Sequence, residues 1–204
     1  PQVQDNTEII PISAKNTEAF QALVEGYARV IEESPNLSTV ARTATSGRAH
    51  FGVRTALVVS SLQELSDGLA NLRTPKTAPP NAPQVAFLFT GQGSQYPGMG
   101  RALYERFSIY REHIDRCDEQ LGVWQGYRLK QVLFDTHDGQ APIHDTGWTQ
   151  PALFSLQVGL AKLFASWGIE PEVVIGHSIG ELSAACVAGI LTVEDGLSLV
   201  AARG

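Results

Sequence analysis

The chain has 204 residues, enough for one large domain or two small ones with a buried core. A formal net charge of −6 without a Lys/Arg cluster argues against a nucleic-acid partner. No apolar stretch reaches the roughly 18 residues of a membrane span, and the polar start lacks a signal-peptide pattern, while Pro1 in place of Met suggests a piece of a longer chain.

The two cysteines, Cys117 and Cys186, stand alone. Neither has the spacing of a metal ligand or of a redox pair. We therefore expect buried thiols, no metal site and a reducing, cytoplasmic location.

One proline-rich segment divides the sequence. Residues 74–83 hold four prolines, which lack an N–H group and fit neither a helix interior nor a central strand. We expect a first subdomain at 1–74, a connector at 75–83 and a second subdomain at 84–204.

The first subdomain has the pattern of a small α/β unit. A short strand is predicted at Ile9–Ser13, and apolar residues at helical spacing predict a helix that runs from Phe20 to a stop at Ser34-Pro35. Phe51–Val59 is rich in β-formers, and Ser61–Glu64 has the pattern of a capping box that opens a second helix. No residue pattern here is typical of a catalytic site.

The second subdomain has the order of a parallel α/β sheet. The apolar run Val85–Phe89 predicts a strand buried on both faces, followed by a glycine-rich turn, Thr90–Gln95. The remaining predictions are a helix over Leu103–Leu121, a polar loop over Asp135–Thr149, a helix with Pro151 in its first turn, and a strand at Val173–Ile175.

The most informative motif is the turn Gly176–Gly180, which has a serine at its centre. It follows a buried strand and precedes a helix-like stretch, Glu181–Leu191, which is the context of a nucleophile elbow. The glycines tolerate strained backbone angles and leave room for an acyl group, while the helix N-terminus favours an oxyanion. Ser178 is therefore the predicted nucleophile.

The turn Thr90–Gln95 also ends a predicted strand. In open parallel sheets ligands bind at the carboxyl ends of the strands, so Gln92 and Ser178 are expected to face one crevice. A phosphate-binding loop is the alternative for this turn, but the Walker Lys-Ser/Thr and the full G-x-G-x-x-G pattern are both missing. The histidine-glycine oxyanion motif of lipases is missing as well.

Four motifs in order carry a family resemblance: GQGSQ at Gly91–Gln95, TQPAL at Thr149–Leu153, GHSIGE at Gly176–Glu181, and Ala202-Arg203-Gly204. Together they resemble the malonyl/acyl-CoA:acyl-carrier-protein transacylases, specifically the acyltransferase domain of a modular polyketide synthase. The segment 1–74 is similar to the linker subdomain that joins ketosynthase to acyltransferase in such synthases. The implied fold is α/β, with the linker subdomain followed by the first part of an α/β-hydrolase-like, parallel-sheet acyltransferase subdomain.

The resemblance implies roles for individual residues. Ser178 takes the acyl group from CoA as an ester, and the backbone N–H groups of Gln92 and Ile179 form the oxyanion hole. Arg203 pairs with the free carboxylate of a malonyl group in a buried position. Gln150 lines the same pocket, and His177 shapes the site without acting as the base.

It also implies substrates and partners. No cofactor is bound; the substrates are an acyl-CoA, most readily malonyl-CoA, and the phosphopantetheine thiol of an acyl carrier protein. A ketosynthase domain of the same polypeptide is the expected neighbour. The family's general base, a histidine, and its ferredoxin-like subdomain lie beyond Gly204, so we expect this fragment to be inactive alone.

The choice of acyl group follows from a second pattern. Asp145–Gln150 is similar to the hydrophilic-Thr-x-aromatic-Thr/Ala-Gln pattern of malonyl-selective domains, and Ile179 stands where methylmalonyl-selective domains carry glutamine. We expect Ile179 and Trp148 to crowd the extra methyl group of methylmalonate, which favours malonyl by about 1 to 3 kcal/mol.

Two other readings remain open at this point. A serine hydrolase such as a thioesterase would use the same elbow with water as acceptor, although Arg203 and the GQGSQ turn favour transfer. A non-enzymatic scaffold fragment with an incomplete site is the other.

Overall fold

The computed structural model describes residues 7–33, 36–72, 75–79, 81, 83–135 and 142–204. The elements, in chain order, are β1 (Glu8–Ala14), α1 (Thr17–Glu33), α2 (Leu37–Ser46), β2 (Val53–Val59), α3 (Leu62–Ala70), β3 (Lys76–Thr77), β4 (Ala86–Phe89), α4 (Arg101–Arg106), α5 (Ser108–Leu121), α6 (Leu129–Phe134), a 3-10 helix (Pro142–His144), α7 (Thr146–Ser166), β5 (Val173–Gly176), α8 (Ile179–Val187) and α9 (Val193–Arg203). The chain divides into two compact units, Pro1–Pro83 and Gln84–Gly204.

The first unit is a three-stranded antiparallel sheet with helices packed on it. β1 and β2 pair along their whole length, from Glu8 opposite Val59 to Ala14 opposite Val53, and β3 adds a short edge inside the proline-rich segment. Pro11 sits in β1, which is an edge strand, so its missing N–H group need not interrupt the ladder. Ile10, Ile12 and Leu65 are fully buried in the core.

Side-chain hydrogen bonds cap the N-termini of two helices in this unit, α3 and α2. The Ser61 hydroxyl accepts from the Glu64 N–H at 3.1 Å, while the Glu64 carboxylate accepts from the Ser60 N–H at 2.8 Å, one residue before the expected donor. Helix α2 is absent from the sequence prediction, although Asn36 caps it by accepting from the Thr39 N–H at 2.9 Å. The predicted stop at Ser34-Pro35 lies outside the described residues.

The second unit contains a parallel sheet, which confirms the predicted α/β class. β4 and β5 pair from Ala86 opposite Val173 to Phe89 opposite Gly176. The long helix α7 is buried along most of its length, and its residues join those of α5, α8 and α9 in one core cluster. No helix within the described ranges is long and apolar enough to cross a membrane.

Three details of the second unit differ from the sequence prediction. The single helix over Leu103–Leu121 is two helices, because Phe107 takes an extended conformation between α4 and α5. α7 begins at Thr146, so Pro151 lies inside the helix and not in its first turn. The reason is that the Asp145 carbonyl already accepts from the N–H groups of Trp148 and Thr149, which starts the helix upstream of the proline.

The third difference concerns burial of the strands. β4 was expected to be buried on both faces, yet the Leu88 side chain is 73% exposed and Ile175 of β5 is 56% exposed. Leu88 and Ile175 are paired in the ladder and point to the same face of the sheet, so these exposures show that the described residues leave that face largely uncovered at this position.

Candidate active site

Two turns meet at the carboxyl edge of the parallel sheet. The last hydrogen bond between the two strands is donated by the His177 N–H to the Phe89 carbonyl at 3.0 Å. The carboxyl ends of β4 and β5 are therefore next to each other. A Cβ placed on Gly91 would lie only 2.8 Å from His177 Nδ1. The turn that carries Gln92 and the turn that carries Ser178 therefore lie side by side, as the sequence analysis expected.

Ser178 has a strained backbone. Its φ of 56° and ψ of −115° lie outside the regions that non-glycine residues favour. Within the described ranges only one other non-glycine residue, Gln125, has a positive φ. Strain of this kind costs about 1 to 3 kcal/mol and persists where the surrounding structure enforces it, typically at functional sites.

The flanking glycines enforce the turn because no side chain fits there. A Cβ on Gly180 would lie 2.7 Å from the Phe89 carbonyl carbon and 2.9 Å from the Thr90 carbonyl oxygen. A Cβ on Gly176 would overlap the backbone of Gly180 and Glu181. The first turn of α8 can therefore rest directly on the end of β4, which fixes Ser178 at the edge of the sheet.

The start of α8 supplies hydrogen-bond donors beside Ser178. The first N–H groups of an α-helix have no partner within the helix, and that of Ile179 is the first in α8. The next two N–H groups are already paired: that of Gly180 donates to the His177 carbonyl and that of Glu181 to the Ser178 carbonyl, both at 3.0 Å. Gln92, the other predicted donor, lies exposed on the neighbouring turn.

Arg203 reaches Ser178 from the last turn of α9. Its Nη2 donates to Ser178 Oγ at 3.4 Å, and it takes part in no ion pair among the described residues. Arg203 is exposed, so the expectation of a buried arginine is wrong for this structure. The Arg203 side chain projects from the last turn of α9, where the described residues do not cover it.

The Asp145–Gln150 segment lies beside the same helix end. A Cβ on Gly204 would lie 2.8 Å from the Gly147 Cα, so α9 ends against the first turn of α7. Gln150 is 5% exposed and its Oε1 has no hydrogen-bond partner within the part of the chain that the structure describes. The Asp145–Gln150 motif therefore lies next to the end of α9 that carries Arg203.

The side chains expected to crowd a methyl group are placed differently. Trp148 is 1% exposed and Ile179 is fully buried, and both belong to the core cluster of the second unit. Neither projects into open space at the crevice, because their faces of α7 and α8 pack inward. Trp148 and Ile179 can therefore affect the choice of acyl group only indirectly, through the way in which α7 and α8 pack.

No histidine of the described residues bonds to Ser178. His177 is exposed and turned toward Gly91, and His50 contacts the Thr45 carbonyl in the first unit. His113 is buried between α5 and α7, where desolvation above all lowers its pKa to about 4. His137 lies outside the described residues.

One residue of the site region escaped the sequence analysis. Gln157 of α7 is 7% exposed, and its Nε2 donates to the Thr90 carbonyl at 2.9 Å, just before the Gln92 turn. The available signal was its spacing: Gln157 stands seven residues after Gln150, which is two helical turns and hence the same face.

The assembled groups lie where the sequence predicts an acyl-transfer site. Ser178 stands on a strained elbow at a helix N-terminus, and the Arg203 guanidinium donates to its hydroxyl. No group of three or more His, Cys, Asp or Glu within the described ranges is arranged to hold a metal ion.

Comparison with known families and proteins gives the same class. Residues 86–204 match the family model described as acyl transferase domain, and residues 8–69 match the model described as CurL-like, PKS C-terminal. The chain therefore belongs to the acyl transferase domain family, in the form found in polyketide synthases. The predicted membership is thereby confirmed.

Curated relatives are much longer than this chain. It is 39% identical over 213 residues to the orsellinic acid synthase armB of Armillaria mellea, which covers 97% of the chain but 9% of that protein. It is 37% identical over 215 residues to the polyketide synthase GfsA of Streptomyces halstedii, with 95% of the chain and 3% of that protein covered.

Solved structures agree with the fold. The acyl transferase domain of ZmaA matches with a TM-score of 0.89 and 35% identity, covering all of this chain and 49% of that one. The acyltransferase domain of SpnD, solved in complex with 2-(pent-4-yn-1-yl)malonyl, matches with a TM-score of 0.80 and 32% identity over 99% of this chain and 49% of that one. The chain thus spans about half the length of the solved domains it matches.

Proposed function

We propose that this chain forms part of an enzyme that loads a malonyl unit from CoA onto an acyl carrier protein through an acyl-serine at Ser178. The observation that carries the proposal is the contact between the Arg203 guanidinium and Ser178 Oγ at 3.4 Å on the strained elbow. A cation beside the nucleophile suits an acyl group with a free carboxylate, because the planar guanidinium can bind a carboxylate through two parallel hydrogen bonds.

The chemistry has two balanced halves. Ser178 Oγ loses its proton to a base and attacks the thioester carbonyl, the C–S bond breaks, and the CoA thiolate leaves and takes up a proton. The phosphopantetheine thiol of the carrier then loses a proton and attacks the ester, and Ser178 leaves and regains its own. The oxyanion of each tetrahedral intermediate accepts from the N–H groups of Gln92 and Ile179, each worth about 10² to 10³ in rate.

The base and the partners lie outside these 204 residues in this proposal. A serine without a base is poorly activated, and none of the described histidines bonds to Ser178 Oγ. We therefore assign the base to a histidine elsewhere in the complete protein and expect the isolated chain to turn over slowly. A ketosynthase domain of the same polypeptide and a cytoplasmic location belong to the same proposal.

Malonyl is proposed over methylmalonyl from the Asp145–Gln150 motif and from Ile179. The structure places Gly147 of that motif against the end of α9 that carries Arg203. Because Trp148 and Ile179 are core residues, we propose that they act by fixing the positions of α7 and α8 around the acyl group.

The test separates transfer from hydrolysis in the complete protein. We would incubate it with malonyl-CoA, with and without a phosphopantetheinylated carrier protein, and measure malonyl-carrier and free malonate. Loading of the carrier that exceeds release of malonate, and that disappears in the Ser178→Ala variant, supports the proposal. Release of malonate at the same rate with and without carrier would instead identify a hydrolase.

A further inference from the structure

The turn that carries Gln92 is rich in glycine, whose backbone is less restricted than that of other residues. Gly91 and Gly93 flank Gln92, and Gly93 has a φ of +114°, a conformation open mainly to glycine. Within the turn the Gly93 N–H donates to the Gln95 side chain at 2.7 Å. Since an oxyanion donor must be held in place before the reaction, contacts from outside the turn add to this internal bond in fixing the Gln92 N–H.

Two such contacts are present. On one side Gly91 lies against the ring and carbonyl of His177 in the elbow. On the other side the Gln157 side chain donates to the Thr90 carbonyl at 2.9 Å and lies 3.3 Å from Thr90 Oγ1. Thr90 Oγ1 in turn bonds to Ser94 Oγ at 3.0 Å, across the base of the turn.

The Thr90 carbonyl is the first one beyond the parallel ladder. The preceding carbonyl, that of Phe89, still accepts from the His177 N–H, whereas that of Thr90 accepts from a side chain. Gln157 is 7% exposed, so little water competes for this bond. A carbonyl can only accept, which fixes the amide of Gln157 with its Nε2 toward Thr90.

We propose that Gln157 is a positioning residue for the oxyanion hole: it holds Thr90, and through Thr90 it sets the distance between the Gln92 N–H and Ser178. This inference rests on the proposed acyl transfer through Ser178. In this inference Gln157 supports the binding of the thioester oxygen, which malonyl and acetyl groups share, and has no role in binding the malonyl carboxylate.

The test uses two variants in the complete protein. Gln157→Leu removes the donor, and Gln157→Met removes it with nearly the same length and volume, which protects the packing of α7. A displacement of about 1 Å at a reacting group costs about 10²-fold in rate. We expect the kcat of malonyl transfer to fall about 10- to 100-fold, with the KM for malonyl-CoA within about twofold of the wild type.

Gln120 offers a matched control. It also donates from a helix side chain to a backbone carbonyl, that of Glu194, at 2.7 Å, but it is exposed and joins α5 to α9. Gln120→Leu should lose a comparable hydrogen bond and keep the wild-type kcat. Thermal unfolding of all three variants shows whether a general loss of stability accompanies any loss of rate.

The choice of substrate completes the test. Gln157→Leu should slow malonyl and acetyl transfer by the same factor, because both form the same oxyanion. Wild-type kcat in the Leu and Met variants, or a loss confined to malonyl, would overturn the inference while leaving the proposed function intact. A wild-type protein that is not acylated at Ser178 would overturn both.

Discussion

The contact between Gly180 and the end of β4 allows a quantitative prediction. In Gly180→Ala the new methyl group would lie 2.7 Å from the Phe89 carbonyl carbon, where ordinary contacts begin at 3.4 Å. The Phe89 carbonyl oxygen would lie closer still to this methyl group, so the first turn of α8 must move away from β4 by about 1 Å. All three nearest atoms belong to the backbone of Phe89 and Thr90, so no side chain can rotate to make room.

The displacement acts together on Ser178, the proposed nucleophile, and on the N–H group of Ile179, one of the two proposed oxyanion donors. Ser178 and Ile179 immediately precede Gly180, so both move relative to the Gln92 turn. A shift approaching 1 Å costs about 10²-fold in rate, and overpacking costs about 1 to 3 kcal/mol of folding stability. We expect the Ser178 acylation rate of Gly180→Ala to fall about 100-fold.

Stopped-flow acylation with malonyl-CoA and urea unfolding measure the two effects in the complete protein. Gly26→Ala is the control, because Gly26 lies inside α1 with nothing within 4 Å of an added Cβ. This control should gain about 0.5 to 1 kcal/mol of stability and keep its acylation rate. If Gly180→Ala acylates at the wild-type rate, the close packing of α8 on β4 does not position Ser178.

Three further predictions concern charge, substrate size and pH. Arg203→Ala should slow malonyl transfer by at least about tenfold more than acetyl transfer, because the loss of a hydrogen bond to a charged group costs about 1.5 to 3 kcal/mol. Equal losses in the two steady-state assays would mean that Arg203 has a structural role only. In competition between malonyl-CoA and methylmalonyl-CoA, malonyl should be loaded in preference by about 1 to 3 kcal/mol, or roughly 5- to 150-fold, and equal loading would refute the motif assignment. Burial lowers the pKa of His113 from 6.5 to about 4, so the unfolded chain takes up a proton between these values that the folded chain does not. The contribution of His113 to the free energy of unfolding is therefore fully present above pH 6.5, and about 3 kcal/mol is lost as the pH falls toward 4. Urea unfolding of His113→Gln should show a flatter dependence of this free energy on pH, and an unchanged dependence would contradict the assignment to His113.

The turn that carries Ser178 could be predicted from the sequence because each of its parts is a local signal. An apolar run that forms a strand, a turn with two glycines and a helix start follow one another within a few residues, and their physical meaning does not depend on distant contacts. The neighbouring position of the Gln92 turn followed from one general property of parallel sheets.

Other features depended on contacts that no local pattern carries. α2 is rich in threonine and serine, which are weak helix formers, so its apolar face was hard to see despite the Asn36 cap. The exposure of Leu88 depends on which elements pack on its face of the sheet, and the exposure of Arg203 on which parts of the fold surround its side chain. The bond from Gln157 to Thr90 joins residues 67 positions apart, so only the folded chain shows it.

The most direct test of the account is to map the acyl group itself. The complete protein would be mixed with malonyl-CoA in the absence of any acceptor, quenched within milliseconds to seconds, digested and mapped by mass spectrometry. We predict a malonyl ester on the peptide that contains Ser178 and its loss in Ser178→Ala, with Ser183→Ala of the same helix as the control that keeps it. A malonyl ester that survives in Ser178→Ala, or that maps to another residue of the wild-type protein, would contradict the account.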